Sequence, residues 1–160
     1  MKLAVEEVYR EYADRVFAAA FSVCRNQADA DDAVQDTFIK YNFTDTDFRD
    51  ENHIKAWLLR VAINRAKDIR ASFWKRNRVS WEDYMDGLTF EEPEDSHLFE
   101  AVMRLPDRYR TVIHLYYYEE YSIREIAGIL HSRDGTVKSR LSRGRSLLKS
   151  LLREEWNDDE

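Results

Sequence analysis

Between Thr136 and Arg145 the chain carries a dense set of hydrogen-bond donors: Thr136, Lys138, Ser139, Arg140, Ser142, Arg143 and Arg145. Guanidinium and ammonium groups donate to guanine edges and neutralise phosphates, and hydroxyls bond to bases or phosphates. A second set has the opposite sign. Asp31, Asp32, Gln35 and Asp36 share the outer side of a predicted helix with Lys40. No histidine stands among them and no loop could wrap an ion, so metal binding is not expected. Helix-dipole complementation and docking to another protein are the readings that remain. A third set is aromatic: Phe43 and Phe48 lie in the polar stretch Asn42–Asn52, and Phe73 and Trp74 abut Lys75, Arg76 and Arg78. Bases stack on rings while cations track the backbone. The helical spacing of Trp57 and Phe73 assigns those two to a core, which leaves the Phe43–Asn52 loop as the place for base capture. No nucleophile–base pair and no glycine-rich phosphate loop is present, and His53, His97, His114 and His131 form no metal-ligand set. The chemistry on offer is recognition rather than bond making. No enzyme activity, metal or cofactor is expected. A small metal-dependent nuclease built on Asp31, Asp32 and Asp36 is the enzymatic rival, and it predicts DNA cleavage in magnesium.

The basic stretch needs a scaffold that holds it outward. Ser122 and Glu125 have the spacing of a capping box. Ile123, Ile126, Ala127 and Leu130 then recur at helical intervals, which predicts a short amphipathic helix. His131 to Asp134 suffice for a tight turn, and a second helix opens near Gly135, with Ser132 or Asp134 as its cap. On that helix Val137, Leu141, Gly144, Leu148, Leu151 and Leu152 share one face. Thr136, Ser139, Ser142 and Arg143 fall opposite, with Lys138, Arg140 and Arg145 on the flanks. Helix, turn and helix with an exposed basic face is a helix-turn-helix, whose second helix suits the major groove.

The remaining elements are helical too. Four Gly and two Pro in 160 residues leave little punctuation for a β fold. Val5, Tyr9, Tyr12, Val16, Ala19, Ala20 and Val23 predict a long first helix, broken at Asn26–Ala28. Asp29 can cap the next, which carries Ala33, Val34, Phe38 and Tyr41 inside. Ile54, Trp57, Leu58, Val61, Ala62, Ile69 and Phe73 form the buried stripe of a third. Leu105-Pro106-Asp107 starts another, with Val112, Ile113 and Tyr116 inward and exposed rings within Tyr116–Tyr118. The tail from Trp156 is expected to fray. Cys24, the only cysteine, excludes an internal disulfide and reads as a core thiol in a reducing cytoplasm. No apolar run approaches the roughly 18 residues of a membrane span, and the acidic start is no signal peptide.

Charge divides the chain. The net −6 seems to oppose DNA binding, yet from His53 to Arg78 eight Lys or Arg face one Asp, a local balance of +7. From Arg104 to Arg153 eleven face five, or +6. Between these segments Glu82, Asp83, Asp86, Glu91, Glu92, Glu94, Asp95 and Glu100 form a run without a cation, broken by Gly87 and Pro93. It reads as a solvated tether or as a strand that occupies a nucleic-acid channel. The expected fold is all-α: two small helical domains joined by an acidic linker, the second a four-helix-type helix-turn-helix domain. The free chain should bind DNA weakly, because total charge sets long-range steering.

The residues resemble a known family. LPDRYRTVIHLYYYEEYSIREIAGIL and GTVKSRLSRGRSLL look like the −35-reading domain of sigma factors. DDAVQDTFIK and WLLRVAINRAKD look like the polymerase-binding and −10-reading parts of the same family. The compact layout resembles the extracytoplasmic-function (ECF) group, over about Tyr9 to Leu152. The resemblance implies a bacterial, non-catalytic initiation factor that recruits core RNA polymerase to promoter DNA. It implies a polymerase-binding and −10-reading domain at 1–78, a linker at 79–100, a −35-reading domain at 101–153 and a tail at 154–160. Asp31, Asp32, Gln35 and Asp36 would dock to the polymerase clamp helices. Asn64, Arg65 and Lys67 would face the −10 element, while Phe43 and Phe48 lie in the loop that captures a flipped base. Thr136, Lys138, Ser139, Arg140, Ser142 and Arg143 would read the −35 element. The linker would thread toward the active-site and RNA-exit channels, and the second domain would touch the flap. An anti-sigma factor, which could hold the chain at the membrane without insertion of the chain itself, is a further implied partner. A stand-alone helix-turn-helix regulator is the other reading, and it leaves Asp31–Asp36 and the linker without a role.

Overall fold

In a computed structural model, which describes residues 1–77 and 96–158, all regular structure among the described residues is helical. The chain divides into two compact units, Met1–Arg78 and Val79–Glu160. Positions 79–95 of the acidic run lie outside the described residues, as do the side chains of Phe73 to Arg78.

The first unit is three mutually packed helices: α1 (Val5–Cys24), α2 (Gln27–Phe43) and α3 (Glu51–Asn77). Val8, Tyr12, Val16, Ala19, Ala20 and Val23 recur three or four residues apart on α1 and are all buried. Ala30 and Ala33 of α2 and Ala62 and Ala66 of α3 are fully buried, and such small side chains let the helices approach closely. Tyr9, expected inside, is 53% exposed, with its ring edge-on to Phe38 at 5.0 Å. The break after α1 comes from Arg25, which is left-handed at φ 54° and donates its N–H to the Phe21 carbonyl. The cap of α2 is Asn26 rather than Asp29: its side chain accepts from the Asp29 N–H at 2.9 Å. Asp29 is the third helical residue, where its carboxylate complements the dipole instead. Leu59, Ile63 and Ala66, which widen the stripe of α3, are fully buried, because α3 packs on two helices at once. Cys24 is buried, and its thiol donates to the Ala20 carbonyl at 3.3 Å.

The second unit comprises α4 (Ser96–Arg104), α5 (Asp107–Ile113), a π-helical segment (His114–Tyr118), α6 (Ile123–Leu130) and α7 (Asp134–Asp158). Ser96–Glu100, expected as the end of the tether, thus belong to a helix. Pro106 precedes α5 at the cap position, and its carbonyl accepts from the Tyr109 and Arg110 N–H groups at 3.0 Å. Arg110, fully buried, donates from Nη1 to the Leu105 carbonyl at 2.5 Å and so closes the α4–α5 corner from inside. Helix α7 packs against α4, α5 and α6. It continues to Asp158, through the stretch expected to fray. The π-helical segment shows in the Glu119 N–H to His114 carbonyl bond, one residue longer than an α-turn. Tyr117 and Tyr118, at its end, are exposed at 53% and 78%.

His114 opens that segment and stacks on Tyr118, with ring centroids 5.2 Å apart. Its Nε2 is buried and makes no hydrogen bond among the described residues. Burial pushes the imidazole down to about 4, and the nearby Glu119 charge opposes this only in part. The unfolded chain takes up the proton first, so stability falls as pH drops from about 6.5 toward about 4. Denaturant unfolding should show about 2 kcal/mol less stability at pH 5 than at pH 7 from this group. His114→Phe should remove that part of the pH dependence, and an unchanged pH profile in the variant would contradict the burial assignment.

Candidate functional site

The outer face of α7 is set by its inner face. Val137 and Leu141 are buried at 0% and 2%, and Gly144 is buried beside them. A Cβ at Gly144 would lie 2.8 Å from Ile113 Cδ1 and 3.2 Å from Tyr109 Cβ, so α7 and α5 meet almost backbone to side chain there. Opposite this contact Lys138, Ser139, Ser142 and Arg143 are exposed, while Thr136 and Arg140 are half-buried at the edges. Arg143 also reaches the Tyr109 hydroxyl, whose pKa is held below the usual phenol value first by a hydrogen bond from Arg108 and then by one from Arg143.

The turn before α7 positions this face. The capping box of α6 is complete: Ser122 Oγ accepts from the Glu125 N–H at 3.1 Å, and Glu125 Oε1 accepts from the Ser122 N–H at 3.0 Å. His131 ends α6 in the left-handed region at φ 52°, and Ser132 donates its N–H to the Ala127 carbonyl at 3.0 Å. His131 is therefore a turn residue, doing what glycine usually does. The next helix starts at Asp134, one residue before Gly135, and the Arg133 carbonyl accepts its first bond from Val137. Arg133 therefore occupies the cap position. Ser132 turns its hydroxyl back to the Leu130 carbonyl, and Asp134 is already inside the first turn.

In the first unit Asp31, Asp32 and Gln35 are exposed on α2. Asp36 is not free beside them: its Oδ2 accepts from Arg65 Nε of α3 at 2.6 Å, with the two side chains 38% and 41% exposed. A carboxylate expected at a protein-docking face and an arginine expected at a DNA face are thus joined. Asp29, Asp32, Gln35, Arg65 and Asp68 border the cleft around the pair. Asn64 and Lys67 are exposed on α3. Among the described residues no group of three or more His, Cys, Asp or Glu side chains is placed to hold a metal ion.

The two aromatics of the Asn42–Asn52 stretch have different fates. Phe43 is the last residue of α2 and is 77% exposed. Phe48, expected to capture a base, is 1% exposed and packs among Tyr41, Trp57 and His53, with ring centroids 5.7, 5.8 and 5.1 Å away. A buried ring cannot stack on DNA without leaving its core, so Phe48 is corrected to a core residue that anchors the loop. Lys2 Nζ ties the loop's start by donating to the Asn42 and Thr44 carbonyls at 3.2 and 2.7 Å. The chemical type of Phe48 gave no hint of this. Its signal was the pair of rings at Tyr41 and Trp57, between which the loop must close.

Sequence reasoning missed the Asp36–Arg65 pair and the Tyr109–Arg143 contact. Both cross between helices whose facing surfaces no periodicity specifies.

Residues 8–78 match the family model described as Sigma-70 region 2, and residues 98–148 match that described as Sigma-70, region 4. The chain is 30% identical over 175 residues to the ECF RNA polymerase sigma factor SigW of Bacillus subtilis (strain 168), covering 94% of this chain and 90% of that protein. It is 32% identical over 142 residues to the RNA polymerase sigma factor SigV of the same strain, covering 87% and 85%. Among solved structures it is similar to the sigma factor RpoE of Bartonella quintana, co-crystallised with the anti-sigma factor NepR. That likeness has a TM-score of 0.66 at 25% identity, over 92% of this chain and 96% of that one.

The separation of the two rings predicts different variants. Phe48→Ala should destabilise the chain by about 3–5 kcal/mol in denaturant unfolding, whereas Phe43→Ala should stay within about 0.5 kcal/mol of the parent. Equal losses in the two would contradict the placement of Phe48.

Proposed function

We infer the function from one premise: the chain belongs to the sigma-70 family of RNA polymerase sigma factors, in the ECF group. It is a transcription initiation factor, not an enzyme, and it directs core RNA polymerase to specific promoters. The observation that carries this is the order of two family regions along one chain, region 2 at 8–78 and region 4 at 98–148. A lone DNA-binding regulator would account for the second region and leave the first unexplained.

The division of labour follows that order. Residues 1–78 bind core polymerase and the −10 element, 79–100 carry the acidic run, whose last residues Ser96–Glu100 already belong to α4, 101–153 read the −35 element, and 154–160 are a tail. Asp31, Asp32 and Gln35 dock to a basic surface of the polymerase, supported by their exposure on one side of α2. Asp36 joins them at the edge, sharing its carboxylate with Arg65. Asn64, Arg65 and Lys67 face the −10 element. Phe43, exposed at the mouth of the loop, stacks on an unpaired base. Thr136, Lys138, Ser139, Arg140, Ser142 and Arg143 read the −35 element. Arg143 and Ser139 are the base-edge readers, and the flanking cations contact phosphate. The acidic linker imitates nucleic acid in the polymerase channels.

One further partner and a place fit this reading. The solved relative described above is bound by an anti-sigma factor; an inhibitor of that class covers the DNA-binding surfaces of this chain. Among the described residues no helix is long and apolar enough to cross a membrane. The chain works in the bacterial cytoplasm, and any hold at the membrane belongs to the inhibitor.

Two substitutions separate the roles. Asp32→Lys should weaken binding to core polymerase at least about tenfold, as reversal of a charge at a docking face costs more than about 1.4 kcal/mol. Arg143→Ala should leave core affinity unchanged and cut the preference for cognate over scrambled −35 DNA by about 1–3 kcal/mol. Core affinity that survives Asp32→Lys would remove α2 from the docking surface.

A further inference from the structure

We propose that Lys2 is a positioning residue for −10 base capture: it fixes the direction in which Phe43 leaves the end of α2. The inference rests on the reading of Phe43 as the platform for an unpaired base. Phe43 is the last residue of its helix, and Thr44 already leaves in an extended conformation at φ −72° and ψ 142° less one degree, that is 141°. Helix ends fray, and a ring 77% exposed at such an end would sweep a wide cone. Lys2 removes that freedom. Its Nζ donates to the Asn42 carbonyl at 3.2 Å and to the Thr44 carbonyl at 2.7 Å, so it holds the backbone on both sides of Phe43. The last carbonyls of a helix have no partner within it, and a cation placed there also complements the negative end of the dipole.

The holder is itself held. Lys2 Nζ stands 5.3 Å from the Tyr41 ring centroid, within cation–π range. The Tyr41 hydroxyl donates to the Leu3 carbonyl at 2.7 Å, and the Phe48 N–H donates to the Met1 carbonyl at 3.2 Å. Tyr41 and Phe48 are buried at 0% and 1%. Residues 1–3 thus bridge the two sides of the loop, and they are anchored to its core rather than to its surface. The far end of the loop is pinned separately: Asp50 Oδ1 accepts from the His53 N–H at 2.8 Å, and the Arg49 N–H donates to His53 Nδ1 at 3.0 Å. Lys2 is exposed, so it adds little to the core, and its ammonium is turned to carbonyls. What it supplies is a platform set before the base arrives. A ring already fixed in direction loses less freedom on stacking, which makes capture tighter without any contact between Lys2 and the base.

The test uses core polymerase reconstituted with the full chain and a promoter selected by the wild-type holoenzyme. Two quantities are read: affinity for a single-stranded oligonucleotide carrying the −10 element, across a salt series, and the fluorescence of 2-aminopurine placed at each −10 position in turn, which rises when that base leaves the stack. Lys2→Met keeps the stem and removes the ammonium. It should weaken single-strand affinity about three- to fivefold and lower the fluorescence rise, with core affinity and the salt slope unchanged. Lys2→Arg should restore most of both losses. Tyr41→Phe, which removes only the bond to Leu3, should weaken affinity about twofold. In a Phe43→Ala background Lys2→Met should cost nothing further, because the ring it positions is gone. Unaltered affinity and fluorescence in Lys2→Met, or a loss that adds in full to that of Phe43→Ala, overturns the proposal. A salt slope shallower by about 0.7, the value for one phosphate of a single strand, makes Lys2 a DNA contact and overturns it as well. If Phe43→Ala itself leaves both readouts unchanged, the reading of Phe43 as the platform fails and takes the proposal with it. That result is distinct from failure of the proposal alone, in which Phe43→Ala loses capture and Lys2→Met does not.

Discussion

The approach of Gly144 to Tyr109 and Ile113 is the contact on which the second unit turns. With no side chain on α7 at that point, the helix lies against α5 in one rotational setting, and Val137 and Leu141 enter the core on the same side. Each residue step along a helix rotates the side chain by about 100°. A slip of one residue would therefore drive Lys138 toward the core and pull Val137 out, at the cost of an unpaired buried charge. Burial thus decides which donors face outward. The base-reading residues contribute little to the fold, and the fold leaves them free to vary with the promoter.

Such separation explains what could be read from the chain alone. The helices α1, α2, α3, α6 and α7 were legible because each buries a stripe at three- and four-residue spacing, and Ser122 with Glu125 marked the start of α6 in advance. The ends of elements were less legible. At the α1–α2 break the cap is Asn26, because Arg25 ends the first helix one residue earlier than the polar composition suggested. At the α6–α7 turn His131 takes a conformation that L residues favour little, a choice made by the packing of the two helices rather than by its own propensity. The π-helical segment left no mark in the periodicity, since His114–Tyr118 reads equally well as one more α-turn.

The candidate surfaces were legible by charge but not by contact. Asp36 and Arg65 carried separate expectations, one for protein and one for DNA, and the structure pairs them at 2.6 Å. Phe43 and Phe48 looked alike as loop aromatics, and only the closure of the loop over Tyr41 and Trp57 told them apart. A common device recurs in the two units: in each an arginine is held through Nε by a neighbour, Asp36 for Arg65 and Tyr117 for Arg145. Holding the stem of a guanidinium lowers the entropic cost of binding a polyanion. It also lets a chain of net charge −6 present local positive surfaces, since a few fixed cations act at short range where the overall charge is screened.

The central claim is that the two units read two separate elements of one promoter while core polymerase supplies the catalysis. Run-off transcription tests it directly. Purified chain and core polymerase are incubated with a pool of genomic fragments, and one selected template is then altered at its −35 or its −10 element. The account predicts transcripts from defined start sites that appear only with the chain present and fall when either element is scrambled. Transcription that starts at the same sites without the chain, or that is indifferent to both scrambled elements, would contradict it.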